Sequence, residues 1–243
     1  MIVAEGKRHY IAPQVRLWGT VTGSDGSTVK VSGLARLAGL GDMIEIDAGD
    51  HTLGGEVIAI DANELKVMLL SAPVGLRTGQ KAWLRRHASA RPRKSWLGQV
   101  LDAFGRPTSG EELAPDPADD STFLIPYADQ RRPLGARLAT GLAALDTFLP
   151  LCRGQRLGVF AGSGVGKSRL MSDLALGVSA DVVVIGLIGE RTREVGDFVR
   201  LLRESGGLDR AVIIAATSDQ SALVKRRAAD LTMATAEYFR DHG

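Results

Sequence analysis

Residues 161–168 read Ala-Gly-Ser-Gly-Val-Gly-Lys-Ser, and no other segment constrains the chain as much. They match the phosphate-binding pattern G-x-x-x-x-G-K-[ST], with Ala161 in the place of the first glycine. A polyphosphate is wrapped by backbone N–H groups, so side chains must stay out of the way. Gly162, Gly164 and Gly166 permit that tight path, with Ser163 and Val165 between them. Amides at the start of the following helix, through Ser168 and Arg169, complete the anion cradle. Lys167 is placed to reach the β- and γ-phosphates, and the Ser168 hydroxyl to sit on Mg2+.

The pattern needs a strand before it and a helix after it. Gln155 to Phe160 reads as a short apolar strand, and Lys167 to Gly177 as the helix. Asp181 to Ile188 is a near-continuous apolar run, which suits a parallel strand covered on both faces. Thr192 to Glu204 has Val195, Phe198, Val199 and Leu202 at helical spacing and ends at Gly206-Gly207. Ala211 to Ala216 is a further strand. Ser221 to Arg240 is a long helix with Leu223, Leu231, Ala234 and Tyr238 on one side. This alternation predicts a parallel sheet with right-handed crossovers. Ahead of it, Gly141 to Phe148 reads as a short helix with Thr140 as N-cap and Leu142, Leu145 and Leu149 on one face. Three strands make a thin sheet, and the sequence reads as one that stops mid-domain.

The second apolar run ends in Gly189-Glu190-Arg191. In open α/β sheets the carboxyl ends of the strands face the ligand crevice. A carboxylate there can orient and deprotonate water, which makes Glu190 the candidate base. Arg191 is a candidate for holding phosphate charge. The four histidines, His9, His51, His87 and His242, are scattered, so no metal-ligand cluster is expected. Cys152 has no histidine at useful spacing and reads as a small core residue. Neither Ser163 nor Ser168 sits in a nucleophile elbow.

Residues 1–84 carry another pattern. Val15, Leu17, Gly19 and Val21 share one parity, and Gly23 to Gly26 supplies turn chemistry. Short strands follow near Thr28–Val31, Met43–Ile46, Glu56–Ile60, Leu65–Leu70 and Gln80–Leu84. Five or six short strands at even spacing predict a small antiparallel barrel, which leaves no open edge. Residues 85–139 read as a largely irregular connector with one ordered piece, Trp96 to Phe104. Arg85 to Lys94 holds five basic residues and no acid, whereas Glu111 to Asp129 holds six acids, no base and three prolines. Residues 140–243 form the partial nucleotide-binding domain.

Composition narrows the setting. Hydrophobic residues make 44% and charged residues 24%, which excludes whole-chain disorder. No apolar run reaches the roughly 18 residues of a membrane-spanning helix. The N-terminus carries an acidic residue, Glu5, and no long apolar core, so it is not expected to be a signal peptide. A single cysteine excludes an internal disulfide, and cytosol is the expected compartment. A net charge of +2 does not mark a nucleic-acid binder.

Several runs together resemble a known family. RGQRLGVFAGSGVGKS (Arg153–Ser168), GLIGERTREVGDF (Gly186–Phe198) and ATSDQSALVKRRAADLTMATAEYFRDHG (Ala216–Gly243) are similar to the catalytic ATPases of flagellar and virulence type III protein export. LGQVLDAFGRP (Leu97–Pro107) resembles the segment that joins their barrel to their core. The likeness runs from about Val15 onward and is greatest to the flagellar member. F-type and V-type ATP synthases are more distant. The resemblance implies a small N-terminal β-barrel followed by a truncated α/β RecA-like P-loop NTPase core. It implies a hexameric homo-oligomer that hydrolyses Mg-ATP between subunits to unload and unfold export substrates. Implied partners are an export regulator, chaperone–substrate complexes and export-gate proteins, with peripheral association at the inner membrane. Lys167, Ser168, Glu190 and Arg191 then take the roles already read from the residues.

Two departures stand out against that family. The sequence is expected to stop short of the family's further strand ending in an aspartate, its arginine finger and its C-terminal helical domain. Only fourteen residues precede Val15, so the regulator-binding helix is expected to be short or missing. Other readings are an RNA-translocating RecA-type ring and a truncated, non-catalytic assembly partner. The first needs a basic, aromatic barrel face, which the sequence does not suggest.

Overall fold

A computed structural model describes residues 16–85, 90–111, 113, 129, 132–162 and 165–242. The chain divides into two compact units, one up to residue 88 and one from residue 89.

The first unit is a closed barrel. Its strands are β1 (Trp18–Asp25), β2 (Thr28–Ser32), β3 (Met43–Asp47), β4 (Thr52–Ile60), β5 (Glu64–Leu69) and β6 (Lys81–Arg85). They close in the order β1-β2-β5-β4-β3-β6, and every pair is antiparallel. Period-two alternation drives this: Val29 and Val31, Ile44 and Ile46, and Leu65, Val67 and Leu69 all point inward and are fully buried. Val15 lies outside the described residues. On the outer face, Trp18 opposes Trp83 across β1 and β6, with ring centroids 6.4 Å apart. Lys81 lies over Trp18 and Arg16 over Trp83. The barrel thus carries one small patch of two rings, each with a cation over it. Between residues 16 and 85, however, eight acidic residues outnumber seven basic ones, so no broad positive field surrounds it.

The second unit is α/β. A 3-10 turn at Lys94–Trp96 leads into β7 (Val100–Leu101), and another, Leu208–Arg210, precedes the last strand. Then come β8 (Arg137–Leu138), α1 (Ala143–Phe148), β9 (Leu151–Cys152), α2 (Lys167–Gly177), β10 (Val183–Ile188), α3 (Thr192–Glu204), β11 (Ala211–Ala216) and α4 (Ala222–His242). The main sheet is parallel, in the order β10-β11-β7. Phe198 and Leu202 of α3 pack on Ile185 and Leu187 of β10 and on Ile213 of β11. Leu223, Val224, Ala228, Leu231 and Thr235 form the buried side of α4. No helix among the described residues is long and apolar enough to cross a membrane.

Several expectations are corrected. Residues 155–160 form no strand, and Phe160 is 97% exposed. An apolar run becomes a strand only where a ladder partner lies beside it. Successive strands of an open α/β sheet need not be neighbours, and 155–160 does not occupy the free edge of β10. The third strand of the sheet is β7 instead, from within the stretch read as connector. Helix α1 starts at Ala143, and Leu142 rather than Thr140 is its N-cap. No α1 residue is buried, and Leu149 is exposed. Cys152 is half-buried in the β8–β9 ribbon, not in the core.

Candidate phosphate-binding site

The loop starts from Ala161 and Gly162, both exposed; Ser163 and Gly164 lie outside the described residues. Gly166 caps α2 with φ at +99°, the left-handed region where a side chain would be strained. That turn lets the chain enter the helix abruptly. Leu170 N–H donates to the Gly166 carbonyl at 2.9 Å, so the helical ladder begins at the glycine. The first amides of α2 therefore face outward with the positive end of the helix dipole, the geometry that favours an anion. Val165, Lys167, Ser168 and Arg169 are all exposed around this end. Arg169 is held back along the helix by Asp173, at 3.0 Å.

Glu190 arrives from the sheet. β10 ends at Ile188, and Gly189 turns with φ at +80°. Gly189 N–H donates to the Ala216 carbonyl at 2.7 Å, and Ser218 N–H donates to the Glu190 carbonyl at 2.9 Å. These bonds tie the carboxyl ends of β10 and β11 together and fix the backbone of Glu190. Its carboxylate then meets Lys167 Nζ at 3.8 Å. The two charged groups proposed from the sequence are thus brought together from separate elements. A small crevice beside them is lined by Ser168, Met171, Glu190, Glu194 and Phe198. Among the described residues the Ser168 hydroxyl has no hydrogen-bond partner, while its carbonyl accepts from the Ser172 hydroxyl at 3.0 Å.

Arg191 is not gathered in. It is 77% exposed and pairs with Glu194 of α3 at 3.9 Å. Glu194 escaped the sequence reading, although its place four residues after Glu190, at the start of a helix, was visible there. No group of three or more His, Cys, Asp or Glu residues able to hold a metal occurs among the described residues.

Residues 141–243 match the nucleotide-binding domain of the ATP synthase alpha/beta family. The chain is 41% identical over 232 residues to the flagellum-specific ATP synthase of Caulobacter vibrioides, which covers 93% of this chain and 52% of that protein. The chain is thus similar to flagellar and type III secretion ATPases along nearly all of its own length. The type 3 secretion system ATPase of Xanthomonas euvesicatoria is 37% identical over 236 residues, covering 94% of this chain and 52% of that one. Among solved structures, the assembled ATPase EscN of enteropathogenic E. coli, in complex with its central stalk EscO, superposes with a TM-score of 0.80 at 33% identity. That match covers 92% of this chain and 55% of EscN. The chain spans about half the length of the relatives it matches.

Proposed function

We propose that this chain binds ATP with Mg2+ at residues 161–169 and provides the barrel and phosphate-binding part of a type III protein-export ATPase, most closely a flagellar one. The pairing of Lys167 Nζ with the Glu190 carboxylate at 3.8 Å, beside the crevice that Glu190 lines, carries the reading. Lys167 holds the terminal phosphates, and Glu190 orients the attacking water and takes its proton. The residues fit a magnesium nucleotide: the Ser168 hydroxyl is exposed on the first turn of α2 and has no hydrogen-bond partner among the described residues. Bound Mg2+ supplies charge neutralisation at the phosphates. Arg191 is paired with Glu194 and must leave it to reach a phosphate.

By similarity to assembled EscN, the chain works in a homo-oligomeric ring with a stalk-like partner. An export regulator, chaperone–substrate complexes, export-gate proteins and peripheral contact with the inner membrane complete the reading. The compartment is the cytoplasm. The Trp18–Trp83 face is too small, on a barrel of slightly negative charge, to favour an RNA-translocating ring.

Titrating a fluorescent ATP analogue into the chain tests this reading. A charge-assisted hydrogen bond to phosphate is worth roughly 1.5–3 kcal/mol, so Lys167→Ala should weaken binding at least about tenfold. Equal affinity in parent and variant would overturn the site.

A further inference from the structure

A second cavity of about 520 Å³ lies in the α/β unit and shares no lining residue with the phosphate-binding loop or its crevice. Three guanidinium groups line it, from Arg91, Arg93 and Arg106, with Trp96 and Phe104 as apolar walls. Glu111 is the one carboxylate in its lining among the described residues. Neither Arg93 nor Arg106 has an ion-pair partner among those residues.

The wall that carries Arg106 is built, not loose. Asp102 Oδ1 accepts the N–H groups of Phe104 and Arg106, at 2.8 and 2.9 Å. Asp102 N–H donates to the Arg106 carbonyl at 2.8 Å, and Leu101 bridges to Pro107. Gly105 bends with φ at +73°, and a Cβ there would sit 2.8 Å from the Trp96 ring. The loop thus lies directly on Trp96, which is only 3% exposed. Arg227 lies over the Phe104 ring at 5.1 Å from its centroid and holds that wall.

We propose that this cavity is a second anion site, one that takes the phosphate group of a soluble, phosphorylated small molecule. A cavity of this size lies within the range of small-ligand sites. Guanidinium forks match phosphate oxygens bidentately and are weakly hydrated, so Arg93 and Arg106, without ion-pair partners among the described residues, suit a phosphate beside apolar walls. The site does not depend on the nucleotide reading above, because no residue is shared.

The chain has three tryptophans, Trp18, Trp83 and Trp96, so 5-fluorotryptophan labelling and fluorine NMR give a local reporter. Loss of one signal in Trp96→Phe assigns it. Pyrophosphate is then titrated against sodium chloride of matched ionic strength. The Trp96 signal should shift saturably with pyrophosphate, and equally so in Lys167→Ala. In Arg93→Gln and in Arg106→Gln the midpoint should rise at least tenfold. No shift beyond the chloride control would overturn the proposal. So would a shift lost in Lys167→Ala and kept in both arginine variants, because it would then originate at residues 161–169. Loss of ATP-analogue binding in Lys167→Ala with the Trp96 response intact would uphold both sites separately.

Discussion

Lys167 Nζ and Glu190 Oε1 lie 3.8 Å apart, one at the first turn of α2 and the other just past the end of β10. Both side chains are substantially exposed, at 42% and 32%, so solvent screens the pair. Such pairs contribute about 0–1 kcal/mol to stability. On the proposed reading its importance is positional: the pair would set a cation for phosphate beside a base for water. Glu190→Gln should therefore change unfolding free energy by less than about 1 kcal/mol. It should leave affinity for the ATP analogue equal or tighter, since Lys167 loses its competing partner. Phosphate release by the assembled oligomer should fall at least about 100-fold, the lower range for a lost general base. Turnover that survives in Glu190→Gln would show that another group activates water.

Arg210 closes the far end of the same helix. Its guanidinium donates to four carbonyls, those of Ala175, Leu176, Val178 and Ala180, at 2.6–3.0 Å. The carbonyls at the end of a helix lack intrahelical partners, and a cation there also suits the helix dipole. Removing a partly buried network of this kind costs on the order of 2–4 kcal/mol. Arg210→Ala should lower the urea midpoint of the α/β unit accordingly, and Arg210→Lys should recover part of it. An unchanged midpoint in Arg210→Ala would mean that water serves those carbonyls as well.

Asp146 gives the α/β unit an acid-sensitive joint. Its Oδ1 accepts from both the N–H and the hydroxyl of Thr140, each at 2.9 Å. The Thr140 N–H bond is the main reason that its carboxyl titrates below the usual carboxylate range. A depressed carboxyl contributes stability that is present above its unfolded pKa, about 3.9, and is lost as pH falls through the lower folded value. Parent and Asp146→Asn should therefore differ in melting temperature near neutral pH and converge below about pH 4. A difference that stays constant from pH 7 to pH 3 would remove this linkage.

The legible and illegible parts of the fold separate by range. Alternating residues such as Val29, Val31, Leu65, Val67 and Leu69 report a barrel because strand period is a local property. Lys167 and Glu190 were legible because each ends a recognisable element: a glycine turn into a helix and an apolar run into Gly189. Residues 155–160 misled because apolar character does not say which ladder edge is available. β7 is two residues long, too short for any period, and joins the sheet only through β11. Arg210 and the Thr140–Asp146 pair depend on where a helix end lands, which no spacing in the sequence encodes. The guanidinium cavity was visible only as a basic run, without the turn at Asp102 that closes it.

The barrel should fold alone. Its six strands close on themselves, so no edge waits for a partner. Twelve residues with no more than 2% exposure form one continuous core, all of them from within residues 21–82. Domains of about 60 residues bury near 60% of their unfolded surface, enough for marginal independent stability. A fragment of residues 1–88 should therefore give dispersed amide signals and a single cooperative urea transition. Its midpoint should match that of the barrel in the whole chain, followed by the fluorine signals of Trp18 and Trp83. Early tryptic cleavage of the whole chain should fall between Arg85 and Asp129 and release that piece intact. A fragment with collapsed amide dispersion, or a first cut within β10 or α3, would show that the barrel needs the rest of the chain.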